Sequence, residues 1–212
     1  MLSASDLKLE YRDGAAMIAA VDGVSVSVRE REFVGIVGPS GSGKSSLLYL
    51  LAGLKLPTSG AVRFRDKAIT GMSADQRAAL RQQQFGFVFQ NPFLIGYLTA
   101  QENVLAAALD EPDRAAQLLG ELGVGHCREK FPHQMSMGER QRVAIARAVV
   151  HRPAVVFADE PTAALDRSNA DGAIECLRRH ASGGALFVVT HDESILRGSD
   201  RILRMSAGRF DV

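Results

Sequence analysis

The chain has 212 residues, of which 46% are hydrophobic and 23% charged, and its formal net charge is +1. These values are typical of one globular domain with a sizeable core, and they give no indication of nucleic acid or an anionic membrane surface as a partner. The two cysteines, Cys127 and Cys176, are far apart, and His126 beside Cys127 has no further residue at ligand spacing. We therefore expect no disulfide framework and no zinc site, which suits a reducing compartment.

The N-terminal segment carries early acidic residues and has no apolar core, so it does not have the pattern of a signal peptide. The longest apolar run, residues 47–54, is too short to cross a bilayer. We accordingly expect that this chain alone spans no membrane.

The first ninety residues predict mainly strands. Alternating apolar residues indicate strands near residues 7–11 and 24–28, and a denser apolar run at residues 32–38 is typical of a central parallel strand. A glycine-rich turn and a helix near residues 43–54 follow, then an edge strand at residues 61–69. Ser73 and Gln76 have capping-box spacing and begin a helix that ends near residue 83, and residues 85–90 form the next strand.

Residues 91–150 predict mainly helices. Thr99 with Glu102 and Ser136 with Glu139 have capping-box spacing, and residues 111–122 have helical composition. Strands at 154–159, 185–191 and 201–206 then alternate with helices at 168–180 and 192–197. The pattern predicts an α/β core of residues 1–90 and 151–212, into which a helical subdomain of residues 91–150 is inserted.

The strongest motif is GPSGSGKS, residues 38–45, which has the P-loop pattern G-x-x-x-x-G-K-[ST] between a predicted strand and a predicted helix. Its glycines allow backbone N–H groups to curl around phosphates. Lys44 is expected to bridge the β- and γ-phosphates, and Ser45 is expected to offer its hydroxyl to Mg²⁺. The sequence thus predicts a nucleotide site formed by Gly38, Pro39, Ser40, Gly41, Ser42, Gly43, Lys44, Ser45 and Ser46.

Four polar residues lie at the carboxyl ends of predicted core strands, at the edge where open α/β sheets bind ligands. Asp159 is expected to hold Mg²⁺ through water, and Glu160 is expected to polarise the attacking water as a general base. Gln90 has an amide oxygen suited to Mg²⁺ or that water, and His191 is suited to a hydrogen bond with the γ-phosphate. A lone Gln or His at a strand end is more often structural, so these two assignments depend on the P-loop.

Six motifs in order along the chain resemble those of the nucleotide-binding subunits of ABC transporters. GPSGSGKS matches Walker A, Gln90 the Q-loop, MSMGE (135–139) the LSGGQ-type signature, VVFADE (155–160) Walker B, ALD (164–166) the D-loop and His191 the switch histidine. Tyr11 matches the aromatic residue that stacks on adenine. Within the family, the stretches GFVFQNPFLIGYLTAQENV (86–104) and ADEPTAALD (158–166) are most similar to the lipoprotein-releasing and macrolide-exporter types.

This resemblance implies an α/β P-loop NTPase fold, in which a RecA-like core with an antiparallel β subdomain carries the helical subdomain. It implies hydrolysis of ATP, with Mg²⁺ held by Ser45, Gln90 and Asp159 and with Lys44, Gln90, Glu160 and His191 as catalytic residues. No nucleic-acid partner is implied.

The resemblance also implies partners. In this family two copies meet head to tail around two ATP molecules, so Ser136, Gly138 and Glu139 would face the γ-phosphate held by the other copy. Asp166 would lie at the same interface. A separate permease chain, contacting the helical subdomain near Gln90, would hold the protein at the cytoplasmic face of the membrane. The cargo classes of such systems include lipoproteins, peptides or antibiotics, and haem.

The signature departs from the family pattern, because Met137 stands where the family usually has Gly and Glu139 where it has Gln. If residue 137 needs a positive φ, Met costs roughly 1–2 kcal/mol; if it is the first helical residue, Met is acceptable, and we favour this second interpretation. On sequence physics alone, Ser136 to Glu139 is simply a capped helix start.

Arg140, Arg142 and Arg147 are predicted to form a solvated or intersubunit face of that helix.

Two other functions stay open from the sequence. One is a soluble ABC ATPase, although the chain has neither the tandem domains of translation factors nor the long coiled coil of repair proteins. The other is a binding subunit that hydrolyses ATP weakly because of Met137, against which Lys44, Glu160 and His191 argue.

Overall fold

The computed structural model describes residues 1–14, 16–181 and 183–211. The strands, in chain order, are β1 (Leu2–Asp13), β2 (Ala16–Val28), β3 (Phe33–Val37), β4 (Ser59–Phe64), β5 (Lys67–Ala68), β6 (Phe85–Val88), β7 (Val155–Asp159), β8 (Ala185–Thr190), β9 (Arg201–Ser206) and β10 (Arg209–Phe210). The α-helices are α1 (Lys44–Leu51), α2 (Ala74–Gln84), α3 (Ala100–Leu105), α4 (Pro112–Glu121), α5 (Met137–Val149) and α6 (Arg167–His180). Short 3₁₀ helices occupy Ile69–Gly71, Gly125–Cys127, Pro132–Gln134 and Glu193–Leu196.

The chain divides into two compact units. The first comprises Met1–Arg81 and continues from Phe187 onward, and the second comprises Gln82–Leu186. The predicted division into a core and an inserted helical subdomain stays a prediction.

An antiparallel sheet in the first unit has the strand order β2-β1-β4-β5. Val24, Val26 and Val28 of β2 are buried between exposed residues, which confirms the alternation expected of a half-buried strand. The prediction of one edge strand over residues 61–69 is wrong, because Arg65 adopts a left-handed φ of 51° and turns the chain between β4 and β5. β4 is therefore internal and the two-residue β5 is the edge.

The P-loop strand β3 is buried along its whole length and pairs in parallel with β9. The strand order in the first unit is β10-β9-β3-β8, and β8 begins in the second unit. The helix predicted over residues 192–197 is only the 3₁₀ helix Glu193–Leu196, and the short strand β10 was not predicted.

The second unit has the strand order β8-β7-β6, in which β6 and β7 are parallel and Phe87 lies opposite Phe157. Helix α5 packs on β6 and on α3 and α4. Thr99 and Glu102 form a complete capping box at α3, as their spacing predicts. No helix within the described residues combines the length and the hydropathy that a membrane span requires.

Candidate functional site

The loop between β3 and α1 contains positions that favour or require glycine. Gly41 and Gly43 have φ values of 78° and 100°, in the left-handed region. A Cβ atom on Gly43 would lie 2.1 Å from the carbonyl oxygen of Ala20, and one on Gly38 would lie 2.1 Å from the carbonyl oxygen of Met205. The glycines therefore let the loop curl tightly while neighbouring backbone lies directly behind it.

Helix α1 begins at the end of this loop, at Lys44, with Gly43 as its N-cap. Its first turn, which the structure describes in full, contains no acidic residue and no side-chain capping bond. The N–H groups and the positive end of the helix dipole are thus not neutralised by a side chain, which suits a bound anion. Lys44 adds a buried ammonium group, whose Nζ donates to the carbonyl oxygens of Gly38 (2.8 Å) and Pro39 (2.9 Å).

Ser42 ties the loop to the C-terminal strands. Its carbonyl oxygen accepts a hydrogen bond from the N–H of Gly208 (3.0 Å), and its own N–H donates to the carbonyl oxygen of Pro39 (3.2 Å). The Ser42 hydroxyl is buried and has no hydrogen-bond partner among the described residues. An orphaned polar atom here fits a loop whose function is to bind a polar ligand.

His191 lies immediately after β8 and is exposed. It lines a groove in the first unit together with Val37, Gly38 and Pro39 of the P-loop strand and turn. The structure therefore brings His191 beside the start of the P-loop, as expected for a group that contacts a phosphate.

Tyr11 lies on β1, opposite Ile18 of β2, and its ring is 39% exposed. The Nζ atom of Lys55 donates to the phenolic oxygen across 2.7 Å and lies 5.0 Å from the ring centroid. The exposed area of Tyr11 suits the predicted stacking on a base.

In the second unit, Asp159 is the buried last residue of β7 and Glu160 follows it with a left-handed φ of 46°. Such a conformation costs a non-glycine residue about 1–2 kcal/mol, and it occurs at active sites as well as in turns. Val88 of β6 lies opposite Ala158 in parallel register. Gln90, which the structure places in an exposed bend two residues beyond β6, is thus at the same sheet edge as the two acids.

Two side chains of α5 hold the segment around Gln90. The buried Gln141 donates from Nε2 to the carbonyl oxygen of Phe89 (3.1 Å). Arg147 donates to the carbonyl oxygens of Pro92 (2.7 Å) and Phe93 (2.9 Å), and burial lowers its pKa. The prediction of a solvated face is wrong for Arg147, and the alternative of an intersubunit face stays a prediction. Arg147 lies within the apolar run VAIARAVV, residues 143–150, and this position could have indicated that its side chain is buried.

The predicted signature segment is a complete capping box. Ser136 Oγ accepts from the N–H of Glu139 (3.2 Å), and Glu139 Oε2 accepts from the N–H of Ser136 (2.7 Å). Met137 is the first helical residue of α5, so the second interpretation of its backbone is confirmed. A Cβ atom on Gly138 would lie 3.1 Å from the carbonyl oxygen of Ala164, which places the predicted D-loop against the helix start.

Glu139 and Asp166 are both engaged within their own chain. The Ser136 N–H and hydroxyl, followed by His126 and Cys127, lower the pKa of Glu139 to about 2. Asp166 caps α6, since its Oδ1 accepts from the N–H of Asn169 (3.0 Å), and these hydrogen bonds lower its pKa. The predicted contacts of both residues with a nucleotide or a second copy stay predictions.

The family model described as ABC transporter matches residues 21–163 of this chain. The chain belongs to the ABC transporter family. It is 42% identical over 219 residues to the lipoprotein-releasing system ATP-binding protein LolD of Hydrogenovibrio crunogenus, a match that covers 99% of this chain and 95% of that protein. It is 43% identical to LolD of Bordetella pertussis, with 99% and 94% covered.

The macrolide export ATP-binding/permease protein MacB of Hyphomonas neptunium is 38% identical over 99% of this chain, which corresponds to 34% of MacB. Among solved structures, the ATP-binding cassette MJ0796, described as a dimeric post-hydrolysis state bound to ADP and Pi, has a TM-score of 0.95 and 33% identity. That match covers 100% of this chain and 97% of the cassette. The predicted P-loop NTPase fold and ATPase activity are confirmed.

Proposed function

We propose that this ABC ATPase powers a separate membrane permease that extrudes or releases its substrate, as in the lipoprotein-releasing and macrolide-exporting systems. The observation that carries the proposal is the nearly full-length match to LolD, which covers 95% of that protein. The match to MacB, an ATP-binding/permease protein, covers only 34% of that protein, so the matched region of MacB leaves room for its permease part elsewhere in its chain.

The proposed roles follow from the chemistry of each group. The N–H groups of α1 and the Lys44 ammonium bind the β- and γ-phosphates of ATP. Ser45, Gln90 and Asp159 offer hydroxyl, amide and carboxylate oxygens, the hard ligands that Mg²⁺ prefers. When bound, Mg²⁺ neutralises charge on the phosphates.

Two further residues act in the proposed hydrolysis. Glu160 accepts a proton from the attacking water as general base, and its left-handed backbone fixes the direction of its side chain. His191 donates to the γ-phosphate from the groove beside Gly38.

The proposed active form is a head-to-tail dimer, in which the start of α5 faces the nucleotide of the other copy. Ser136 and Gly138 supply donors to the γ-phosphate, and Asp166 lies at the same interface. The dimeric assembly described for MJ0796, to which this chain is similar, supports the proposal. Hydrolysis would remove the γ-phosphate. The contacts from Ser136 and Gly138 that hold the two copies together would then be lost.

We further propose that the permease contacts the segment that follows Gln90. Phe93 and Tyr97 in this segment are 66% and 81% exposed, which is unusual for large apolar side chains. Arg147 donates a hydrogen bond to the Phe93 carbonyl oxygen and so holds the backbone from which the exposed ring projects. The protein would then lie at the cytoplasmic face of the membrane, held there by this contact.

The test compares Glu160→Gln with Glu175→Gln, an exposed carboxylate on α6 that serves as a matched control. We expect Glu160→Gln to bind ATP, to dimerise in size-exclusion chromatography and to lose at least about a hundredfold in turnover. The control should bind and hydrolyse ATP like the wild type. Unchanged turnover would exclude Glu160 as the base. Wild-type turnover no higher than that of Lys44→Ala would favour a weakly hydrolysing binding subunit.

The permease part of the proposal has its own test. Tagged Phe93→Ser and wild-type protein are each recovered from gently solubilised native membranes. We expect the wild type to carry a polytopic permease near equal stoichiometry and the variant to carry less, with ATPase activity preserved. Recovery of ribosomes or repair proteins without a membrane protein would favour the soluble ATPase instead.

A further inference from the structure

Three side chains with metal-binding chemistry meet at the start of α5. His126 and Cys127 come from the 3₁₀ helix Gly125–Cys127, and Glu139 comes from the first turn of α5. His126 Nε2 lies 2.8 Å from Glu139 Oε1, and Cys127 Sγ lies 3.2 Å from the same oxygen. The three ligand atoms all lie within 4.8 Å of one another, a separation that one metal ion can bridge.

The two oxygens of Glu139 have different partners. Oε2 accepts the hydrogen bond from the N–H of Ser136, whereas Oε1 is the atom that faces His126 and Cys127. A cation at Oε1 therefore leaves the capping box intact. Cys127 is buried and the His126 side chain is 59% exposed, so the cluster is open to solvent on one side only.

We propose that His126, Cys127 and Glu139 bind a thiophilic divalent cation of the Zn²⁺ class. One imidazole nitrogen, one thiolate and one carboxylate oxygen are a ligand set used in zinc sites, with water in the fourth position. On binding, Cys127 loses its thiol proton and His126 loses the Nε2 proton that it donates to Glu139, both to solvent, so that His126 coordinates through Nε2 as the neutral imidazole protonated on Nδ1. The sulfur ligand disfavours Mg²⁺, so this site does not compete with the nucleotide site for its ion.

A second cluster in the same unit, Glu121, Cys176 and His180, has similar ligand types but less favourable charges. Arg114 Nη2 lies 3.3 Å from His180 Nδ1, and Arg179 Nη1 lies 3.6 Å from Glu121 Oε2. Two guanidinium groups in contact with the ligands oppose a bound cation. Lys130 and Arg142 act on Cys127 only through longer-range electrostatics.

Cobalt(II) titration of nucleotide-free, chelator-treated and reduced protein tests the proposal. Tetrahedral cobalt gives strong visible bands, and a bound thiolate adds a near-ultraviolet charge-transfer band. We expect one cobalt per chain, displaced by zinc. Cys127→Ser should abolish the charge-transfer band, and Cys176→Ser, the matched control, should retain it.

Two further variants separate ligation from loss of fold. His126→Ala removes an exposed side chain, and Glu139→Gln keeps an acceptor for the capping box, so both should fold. Each should weaken cobalt affinity roughly tenfold or more. Three outcomes would overturn the proposal. The charge-transfer band would be missing in the wild type, would persist in Cys127→Ser, or would disappear in Cys176→Ser. The readout does not involve ATP, so the outcome is independent of the proposed transport function.

Discussion

The side-chain Nε2 of Gln141 donates a hydrogen bond to the carbonyl oxygen of Phe89 across 3.1 Å, and so joins the middle of α5 to the residue before Gln90. Arg147, further along the same helix, holds Phe93 in the same way. One helix therefore carries the predicted signature segment at its N-terminus and holds the segment around Gln90, the predicted Q-loop, along its length. We therefore predict that a change at either point affects the other.

Replacing Gln141 with Met tests this connection. The variant keeps the volume and leaves the Phe89 carbonyl without its donor, but it also removes Gln141 Oε1, a buried atom with no hydrogen-bond partner among the described residues. We therefore expect the free energy of unfolding to change by no more than about 1 kcal/mol. We also expect a lower kcat for ATP hydrolysis, since Gln90 is held less firmly. Urea unfolding and steady-state ATPase assays measure the two effects. Gln83→Met on the exposed face of α2 is the control, and equal behaviour of the two variants would contradict the prediction.

Ser136 has a structural role in the cap and a proposed role toward the other copy, and two substitutions separate them. Ser136→Ala removes the cap and should lower the free energy of unfolding by about 1 kcal/mol. Ser136→Asp keeps an acceptor for the cap, so stability should hardly change, but its charge should repel a γ-phosphate and abolish ATP-dependent dimerisation. Thermal unfolding and size-exclusion chromatography measure these outcomes. Dimerisation of Ser136→Asp at wild-type ATP concentrations would refute a phosphate contact there.

Met137 should be well tolerated because it is the first helical residue of α5. Substitution by Gly should then lower the free energy of unfolding by about 0.5–1 kcal/mol relative to Ala at the same position, through backbone entropy. Chemical unfolding of Met137→Gly and Met137→Ala gives the difference directly. A variant with Gly that is more stable than the one with Ala would indicate a strained backbone instead.

Glu139 should make the stability of the fold sensitive to acid. Its pKa in the folded protein is lowered to about 2, so its contribution is fully present above the pKa of the unfolded chain and is lost as the pH falls toward 2. The unfolding free energy of the wild type should therefore drop more steeply below about pH 4.5 than that of Glu139→Gln. Urea midpoints measured between neutral and acid pH show this slope. Glu129→Gln, whose side chain is 84% exposed, should follow the wild type.

The features that the sequence predicted well are those encoded over a few residues. The P-loop needs only its own glycines, Lys44 and the flanking strand and helix, and the capping boxes at Thr99 and Ser136 need residues three positions apart. Structure that is encoded by such local patterns is found in the folded protein as predicted, because few distant contacts compete with it. The turn at Arg65, by contrast, has no glycine or asparagine to mark its left-handed backbone.

The features that escaped prediction depend on distant partners. Gln141 donates to a backbone carbonyl 52 residues away in the chain. Every residue has such a carbonyl, so the sequence does not indicate which one accepts the bond. The proximity of Glu139 to His126 and Cys127 escaped for a related reason, because the spacing between Cys127 and Glu139 matches no familiar metal motif. Both relationships required the packed helix α5 before they could be recognised.

The close approach of Met205 and Gly208 to the P-loop has a consequence for how the protein is made. Gly38 abuts the Met205 carbonyl, and the Gly208 N–H binds the Ser42 carbonyl, although these partners are far downstream in the chain. The loop therefore acquires its final shape only after that segment has been synthesised and has folded back, which is a slow, non-local step. A nascent chain arrested before residue 205 should hold the whole P-loop motif and still be unable to retain nucleotide.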